Sequence, residues 1–212
     1  MGIAFYGIVA LLIVIVAFII IRSSIKESKE QEDAGEHLTV EQIVEHYGDR
    51  LTSSNFLWGI WHDRHSIKNS ELIVKDNEGG CVGIITHYKI PKGNVSRRIE
   101  LYNHLYECVT NGITSKVSSL IDCEDNEVVM TCDHKTNSEI FYQGESVVEK
   151  YTLEHNSIVE DFQSIKVGEE EIGRLISMND FKCDAVVLDL PIEEIGLPER
   201  LFILANMAKG VG

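Results

Sequence analysis

The chain is short of basic side chains: 19 Lys and Arg stand against 34 Asp and Glu, for a formal net charge of −15. Residues 1–36 hold three of the basic and five of the acidic groups, so residues 37–212 still carry 16 against 29. A domain this acidic lacks the cations that displace counterions from a phosphate backbone, and nucleic acid is not an expected partner. Broad electrostatic docking onto anionic lipid is disfavoured for the same reason. Cysteine is sparse and unpatterned. Cys81, Cys108, Cys123, Cys132 and Cys183 form an odd set with no C-x-x-C pair. That speaks against the disulfide framework of a small secreted domain and fits buried thiols in a reducing compartment. No P-loop, no G-x-G-x-x-G opening a helix and no G-x-S-x-G occurs, so nucleotide binding and the nucleophile elbow lack a motif. The one glycosylation sequon, Asn94-Val95-Ser96, is a single match of the frequency chance provides.

What is present begins with residues 3–21, IAFYGIVALLIVIVAFIII, which hold no charged side chain before Arg22. At about 1.5 Å per residue such a helix is roughly 28 Å long, close to the roughly 30 Å hydrocarbon core of a bilayer. A cleaved signal peptide fits poorly, because only Met1 and Gly2 precede the run and AFIIIRSS offers no small-x-small site. N-myristoylation is disfavoured by Tyr6, where the pattern needs Ser or Thr. Residues 1–22 are therefore expected to be a single transmembrane anchor. Arg22, Lys26 and Lys29 follow the helix and no charged side chain precedes it, which places the C-terminal domain on the cytoplasmic side. Residues 23–36, SSIKESKEQEDAGE, have no periodicity able to bury a face and read as a charged juxtamembrane linker.

Residues 37–212 are enough for one domain with a substantial core. Thr39 and Gln42 fit a capping box, and Val40, Ile43, Val44, Tyr47 and Leu51 share one helical face. The segment that follows, within a helical and aromatic lead-in over 37–69, carries Trp58 and Trp61. Its reading is a packing plug, with a partner-binding patch as the alternative. From Ser70 the pattern becomes strand–acidic turn–strand: Glu71 to Lys75 with Val82 to Tyr88, Ser115 to Ile121 with Glu127 to Cys132, and Ser157 to Val167 with Glu171 to Met178. Glu139 to Tyr142, Val147 to Leu153 and Phe181 to Leu190 add further strands. Arg97 to Thr110 satisfies neither period and is read as mostly strand. Nine or ten short strands in antiparallel hairpins predict a barrel or sandwich. Leu197-Pro198-Glu199-Arg200 then opens a helix that is apolar nearly all round through Ala208. It must be buried on several sides, yet it is too short to span a bilayer. The expected fold is mainly β: a closed antiparallel barrel around a hydrophobic C-terminal helix.

On ELIVKDNEGGCVGIITHY, SSLIDCEDNEVVMTC, IKVGEEEIGRLISM and the closing run AVVLDLPIEEIGLPERLFILANMAKG, the chain over about residues 70–210 resembles the tubby C-terminal-like superfamily. That superfamily includes LURP-one-related proteins and phospholipid scramblases. The resemblance implies a twelve-stranded closed barrel threaded by a hydrophobic helix, and binding or scaffolding at a membrane rather than catalysis. It also implies a basic pocket for phosphoinositide headgroups, for which Lys89, Lys92, Arg97 and Arg98 are the nearest candidates here. They are not a dense cluster, and a proline-rich N-terminus and palmitoylated cysteine cluster of scramblase type are missing.

For chemistry, His62-Asp63-Arg64-His65 is the densest polar cluster. An H-x-x-H pair can set two imidazoles on one side of a helical turn. No second ligand pair stands at familiar spacing, and His134 and His155 are distant in sequence, so neither a metal nor another cofactor is expected. The acidic runs Glu169-Glu170-Glu171 and Glu193-Glu194 read as solvated charge. No catalytic residue is assigned. The function expected is a membrane-anchored, non-catalytic binding or scaffolding module whose partner is a lipid, a small ligand or a membrane protein. The alternative is a membrane-tethered enzyme whose site is assembled from scattered residues such as His62, His65, His134 and Cys132.

Overall fold

Twelve antiparallel strands close into one barrel around a C-terminal helix in a computed structural model of the chain. The structure describes residues 38–62, 69–110, 117–136, 138–146, 148–154, 162–178, 185–190 and 195–207, with residues 12–19, 22, 23, 26, 29 and 30 upstream. His65, His155, Cys183 and most of the juxtamembrane linker lie outside the described residues. Helix α1 (Val40–Tyr47) comes first, followed by β1 (Phe56–His62), β2 (Ser70–Lys75), β3 (Cys81–Lys92), β4 (Val95–Leu101), β5 (His104–Thr110) and β6 (Val117–Asp122). The second half is β7 (Val128–His134), β8 (Ser138–Gln143), β9 (Glu149–Glu154), β10 (Phe162–Val167), β11 (Glu170–Met178), β12 (Ala185–Asp189) and helix α2 (Leu197–Met207). Every strand pairs with its sequence neighbours, and β1 also pairs with β12 to close the ring.

The expected capping box forms as read: the Thr39 amide donates to Gln42 Oε1 at 3.0 Å and the Gln42 amide to Thr39 Oγ1 at 3.4 Å. Two strands exceed the number expected, each for a physical reason. The ambiguous stretch 97–110 is a hairpin, β4 and β5, turning over Tyr102-Asn103 with Tyr102 at φ +52°. A tyrosine is an unusual residue for that backbone region, so no glycine marked the turn. The aromatic segment Phe56–His62 is a full barrel strand rather than a lead-in. It reads as a continuous apolar run because both of its faces are covered: Leu57 belongs to the barrel interior, whereas Phe56, Trp58 and Ile60 pack outward under α1 with Ile43, Tyr47, Ile176 and Val187. A strand buried on both sides has no reason to alternate.

The interior is filled by α2. Leu201, Phe202, Ile203, Leu204 and Ala205 are all fully buried, within a cluster that takes inward residues from around the ring, including Leu72, Ile85, Ile99, Leu120, Phe141 and Leu175. Phe202 meets Phe141 edge to face at 6.0 Å, and Phe141 lies 5.2 Å from Tyr151. Burying the four large side chains of this helix is worth roughly 6–12 kcal/mol before entropy, as large as a typical net stability. The wall approaches closely at Gly83, where a Cβ would lie 2.9 Å from both Leu201 Cδ1 and the Glu100 carbonyl oxygen. Of the apolar N-terminal run, residues 12–19 are described and are helical. Leu12, Ile13, Val14, Ile15, Val16, Phe18 and Ile19 are all exposed. Among the described residues no helix is long and apolar enough to cross a membrane.

Leu204→Asp places a carboxylate in this core and is expected to cost several kcal/mol in chemical denaturation of the domain; a variant that unfolds at the parent's midpoint would place the helix outside the core. Gly83→Val is expected to lose roughly 1–3 kcal/mol by pushing α2 from the wall, read as a lowered Tm.

Candidate functional site

The inward face of the barrel is apolar along most of α2 but turns polar where the helix ends. In β4, buried Ile99 and Leu101 point inward, and two residues before Ile99 the same parity brings Arg97 inside, 1% exposed. Its Nη1 donates to Oδ1 of Asn206 in the last turn of α2 at 3.4 Å, and the Asn206 amide nitrogen donates to the Phe202 carbonyl at 3.0 Å. A guanidinium beside the last turn is favoured by the negative end of the helix dipole. Burial pushes Arg97 down from its ordinary range, while nearby Cys108, Glu139 and Cys132 push the other way.

The same inward parity assembles the neighbouring groups. Cys132 and His134 are two apart on β7, hence on one face, and Ser118 on β6 is directly opposite Cys132 while Glu139 on β8 is directly opposite His134. Ser118 Oγ is 2.8 Å from His134 Nε2, and His134 Nδ1 is 2.9 Å from Glu139 Oε1 and 3.9 Å from Cys132 Sγ. Ser118 and Cys132 are fully buried, and the His134 and Glu139 side chains are 13% and 8% exposed. Two buried polar atoms here lack a hydrogen-bond partner: Glu139 Oε2 and Arg97 Nε. Among the described residues, Cys132, His134 and Glu139 are the group whose donor atoms lie close enough together, within 4.8 Å, to share one ion.

The order hydroxyl, imidazole, carboxylate is that of a nucleophile, a base and its orienting acid. Ser118 is enclosed in the barrel wall, so a substrate has no direct path to its hydroxyl, and the chain of contacts serves first to satisfy buried polar groups. Of the four histidine and cysteine positions singled out in the sequence, the structure thus brings His134 and Cys132 together. His62 sits apart from them at the end of β1, opposite Glu71 and on the other parity from inward Trp61. His65 lies outside the described residues. Ser118 and Glu139 carried no signal at helical or knuckle spacing; strand parity across two hairpins is what unites them.

The basic candidates do not form one pocket. Lys89 and Lys92 are exposed near the tip of the β3–β4 hairpin, with Lys92 Nζ 4.8 Å from the Tyr88 ring centre. Arg97 is inside. Arg98, its neighbour, points outward to Glu107 at 3.3 Å, a contact that raises its pKa. The tryptophans separate likewise, since residues three apart on a strand face opposite ways. Trp58 is 1% exposed, donates to the Asp76 carbonyl at 2.8 Å and packs under α1, while Trp61 is half-buried against the barrel interior. Trp58 is thus a packing plug, not an exposed patch. On the outer face of β6–β8 lies a depression of about 300 Å³ lined by Val117, Thr131, Asp133, Tyr142 and Ser146, at the lower limit of ligand-sized pockets.

No family model, curated protein or solved structure matches this chain.

Arg97→Ala is expected to destabilise the domain by about 1–3 kcal/mol, because the buried Asn206 oxygen loses its donor and Glu139 loses a nearby positive charge. Combined with Glu139→Gln, part of that loss should be recovered, giving a coupling of about 1–3 kcal/mol in a double-mutant cycle. Strict additivity in denaturant titrations would mean that the two groups do not share one network.

Proposed function

We propose that the protein is a single-pass, membrane-anchored module of tubby-like type whose barrel is a non-catalytic binding or scaffolding domain at the cytoplasmic face. The observation that carries this reading is the filled interior: with Leu201 to Ala205 fully buried in the barrel, recognition is left to the outside of the ring. The described part of the N-terminal run supports the anchor. Seven large apolar side chains exposed on one helical segment are a liability in water and at home in hydrocarbon. Twelve strands around a hydrophobic helix are the architecture the tubby-like resemblance implies. With Trp58 packed away and Arg97 inside, the contact surface is better sought at the depression around Tyr142 and Asp133 than at the basic or tryptophan positions. A tethered enzyme would draw on the convergence of Cys132, His134, Ser118 and Glu139, but two of these four are fully buried.

The full chain is expected to stay in the membrane pellet through alkaline carbonate washing, and a chain lacking residues 1–22 to move to the supernatant. Release of the full chain by carbonate would contradict the anchor. A photo-reactive residue at Tyr142 in the membrane-bound chain is expected to give a discrete cross-linked product; a featureless smear equal to that from Glu78 on the β2–β3 turn would contradict a binding face there.

A further inference from the structure

Three donor types of different chemistry, a thiol, an imidazole and a carboxylate, meet at the polar end of the barrel. We propose that Cys132 Sγ, His134 Nδ1 and the Glu139 carboxylate, through the oxygen left unpartnered (Oε2) or both oxygens, form a three-residue site for one zinc ion. Zinc takes sulfur at about 2.3 Å, nitrogen at about 2.0–2.1 Å and oxygen at about 2.0–2.2 Å in a tetrahedron. Those bonds put sulfur and nitrogen about 3.6 Å apart, and nitrogen and oxygen about 3.4 Å apart. The observed separations are 3.9 and 2.9 Å. All three donors lie within 4.8 Å of one another, and since zinc would set sulfur and oxygen about 3.6 Å apart, side-chain shifts of up to about an ångström bring them onto one ion.

Two further observations point to a ligand here. Glu139 is 6% exposed, and its second oxygen, Oε2, is buried with no partner. A buried carboxylate oxygen without a donor is costly unless something binds it. The second is the far side of the imidazole. A histidine that ligates a metal through one nitrogen needs the other N–H held by an acceptor, and Ser118 Oγ stands 2.8 Å from Nε2. In the loaded site Nε2–H donates to Ser118, Nδ1 binds the metal, and the ring orientation is fixed from both ends.

Charge also balances. A thiolate and a carboxylate neutralise the dication, and the proton leaving Cys132 goes to solvent. Arg97 is then left to the C-terminal end of α2 and Asn206. Three protein ligands leave one tetrahedral position for water or an added ligand, the coordination of an open rather than a closed site. The site holds whether or not the outer face binds a partner.

Cobalt is the probe of choice, because it reports geometry and sulfur ligation by absorption. The full chain, purified in detergent and stripped with a chelator, is titrated with Co2+ and then with Zn2+. One equivalent of cobalt should produce intense visible bands of tetrahedral type and a near-ultraviolet thiolate-to-cobalt band, both abolished by zinc. Cys132→Ser, which keeps size and burial, should lose the near-ultraviolet band, retain the parent's far-ultraviolet circular dichroism, and no longer show a rise in Tm on adding zinc. Ser118→Ala should keep the band and weaken cobalt binding by roughly 10–100-fold. A parent spectrum without the thiolate band overturns the proposal. So does a band that survives Cys132→Ser, since the exposed Cys81 or Cys123 would then be holding the ion.

Discussion

A ring of twelve strands is too wide for its own side chains to fill. Eight strands make a barrel just narrow enough for that, and wider ones need a plug or hold water. The insertion of α2 is therefore the constraint on which the rest of this structure depends. It explains why a helix so near the C-terminus is apolar on every side, why Gly83 sits where it does, and why no strand could be removed without opening a gap along Leu201 to Ala205. Closure falls to β1 and β12, and these two strands, with Ile176 of β11, are also roofed by α1, so the seam of the ring is packed from within and without.

A buried helix has two polar ends, and each is answered by its own set of groups. At the first turn, Glu199 meets Lys150 at 2.9 Å and Arg200 donates to the Asn55 carbonyl at 3.4 Å. Burial lowers Arg200 to about 10, opposed by Asp189. Asp189, itself fully buried, accepts from the Thr52 and Ser53 amides and from the Thr52 hydroxyl, tying the chain before β1 to the end of β12. At the last turn, Arg97 and Asn206 do the equivalent work, and Glu139, His134 and Ser118 form a further layer of polar contacts. Each end keeps a buried arginine Nε without a hydrogen-bond partner, Arg200 at the first and Arg97 at the second. What sets the second apart, among the described residues, is the convergence of the three metal-competent donors Cys132, His134 and Glu139.

Much of this architecture was legible in the residues. The three strand–acidic turn–strand units are β2–β3, β6–β7 and β10–β11, and the all-round apolarity of Leu201 to Ala205 correctly demanded an enclosed helix. The misses lie where the usual signals do not apply. Strand β1 hides because both faces are covered, and the β4–β5 turn hides because a tyrosine occupies a position that glycine or asparagine would have advertised. The polar layer was half visible. Cys132 and His134 stood out by type, but their partners Ser118 and Glu139 lie across hairpins, where register rather than spacing decides who meets. For Arg97 the sequence pattern pointed the wrong way: beside Arg98 it reads as surface charge, and only the alternation of β4 shows that one of the pair must face inward.

The central claim is that α2 and the barrel are a single cooperative unit, each incomplete without the other. Native-state hydrogen exchange measures this directly. The amides of Leu201 to Ala205 should exchange only through global unfolding, with the same free energy and denaturant dependence as the slowest amides of β7 and β12. If those helix amides exchange through a local opening several kcal/mol cheaper than the strands, the helix is an accessory rather than the core, and the account fails.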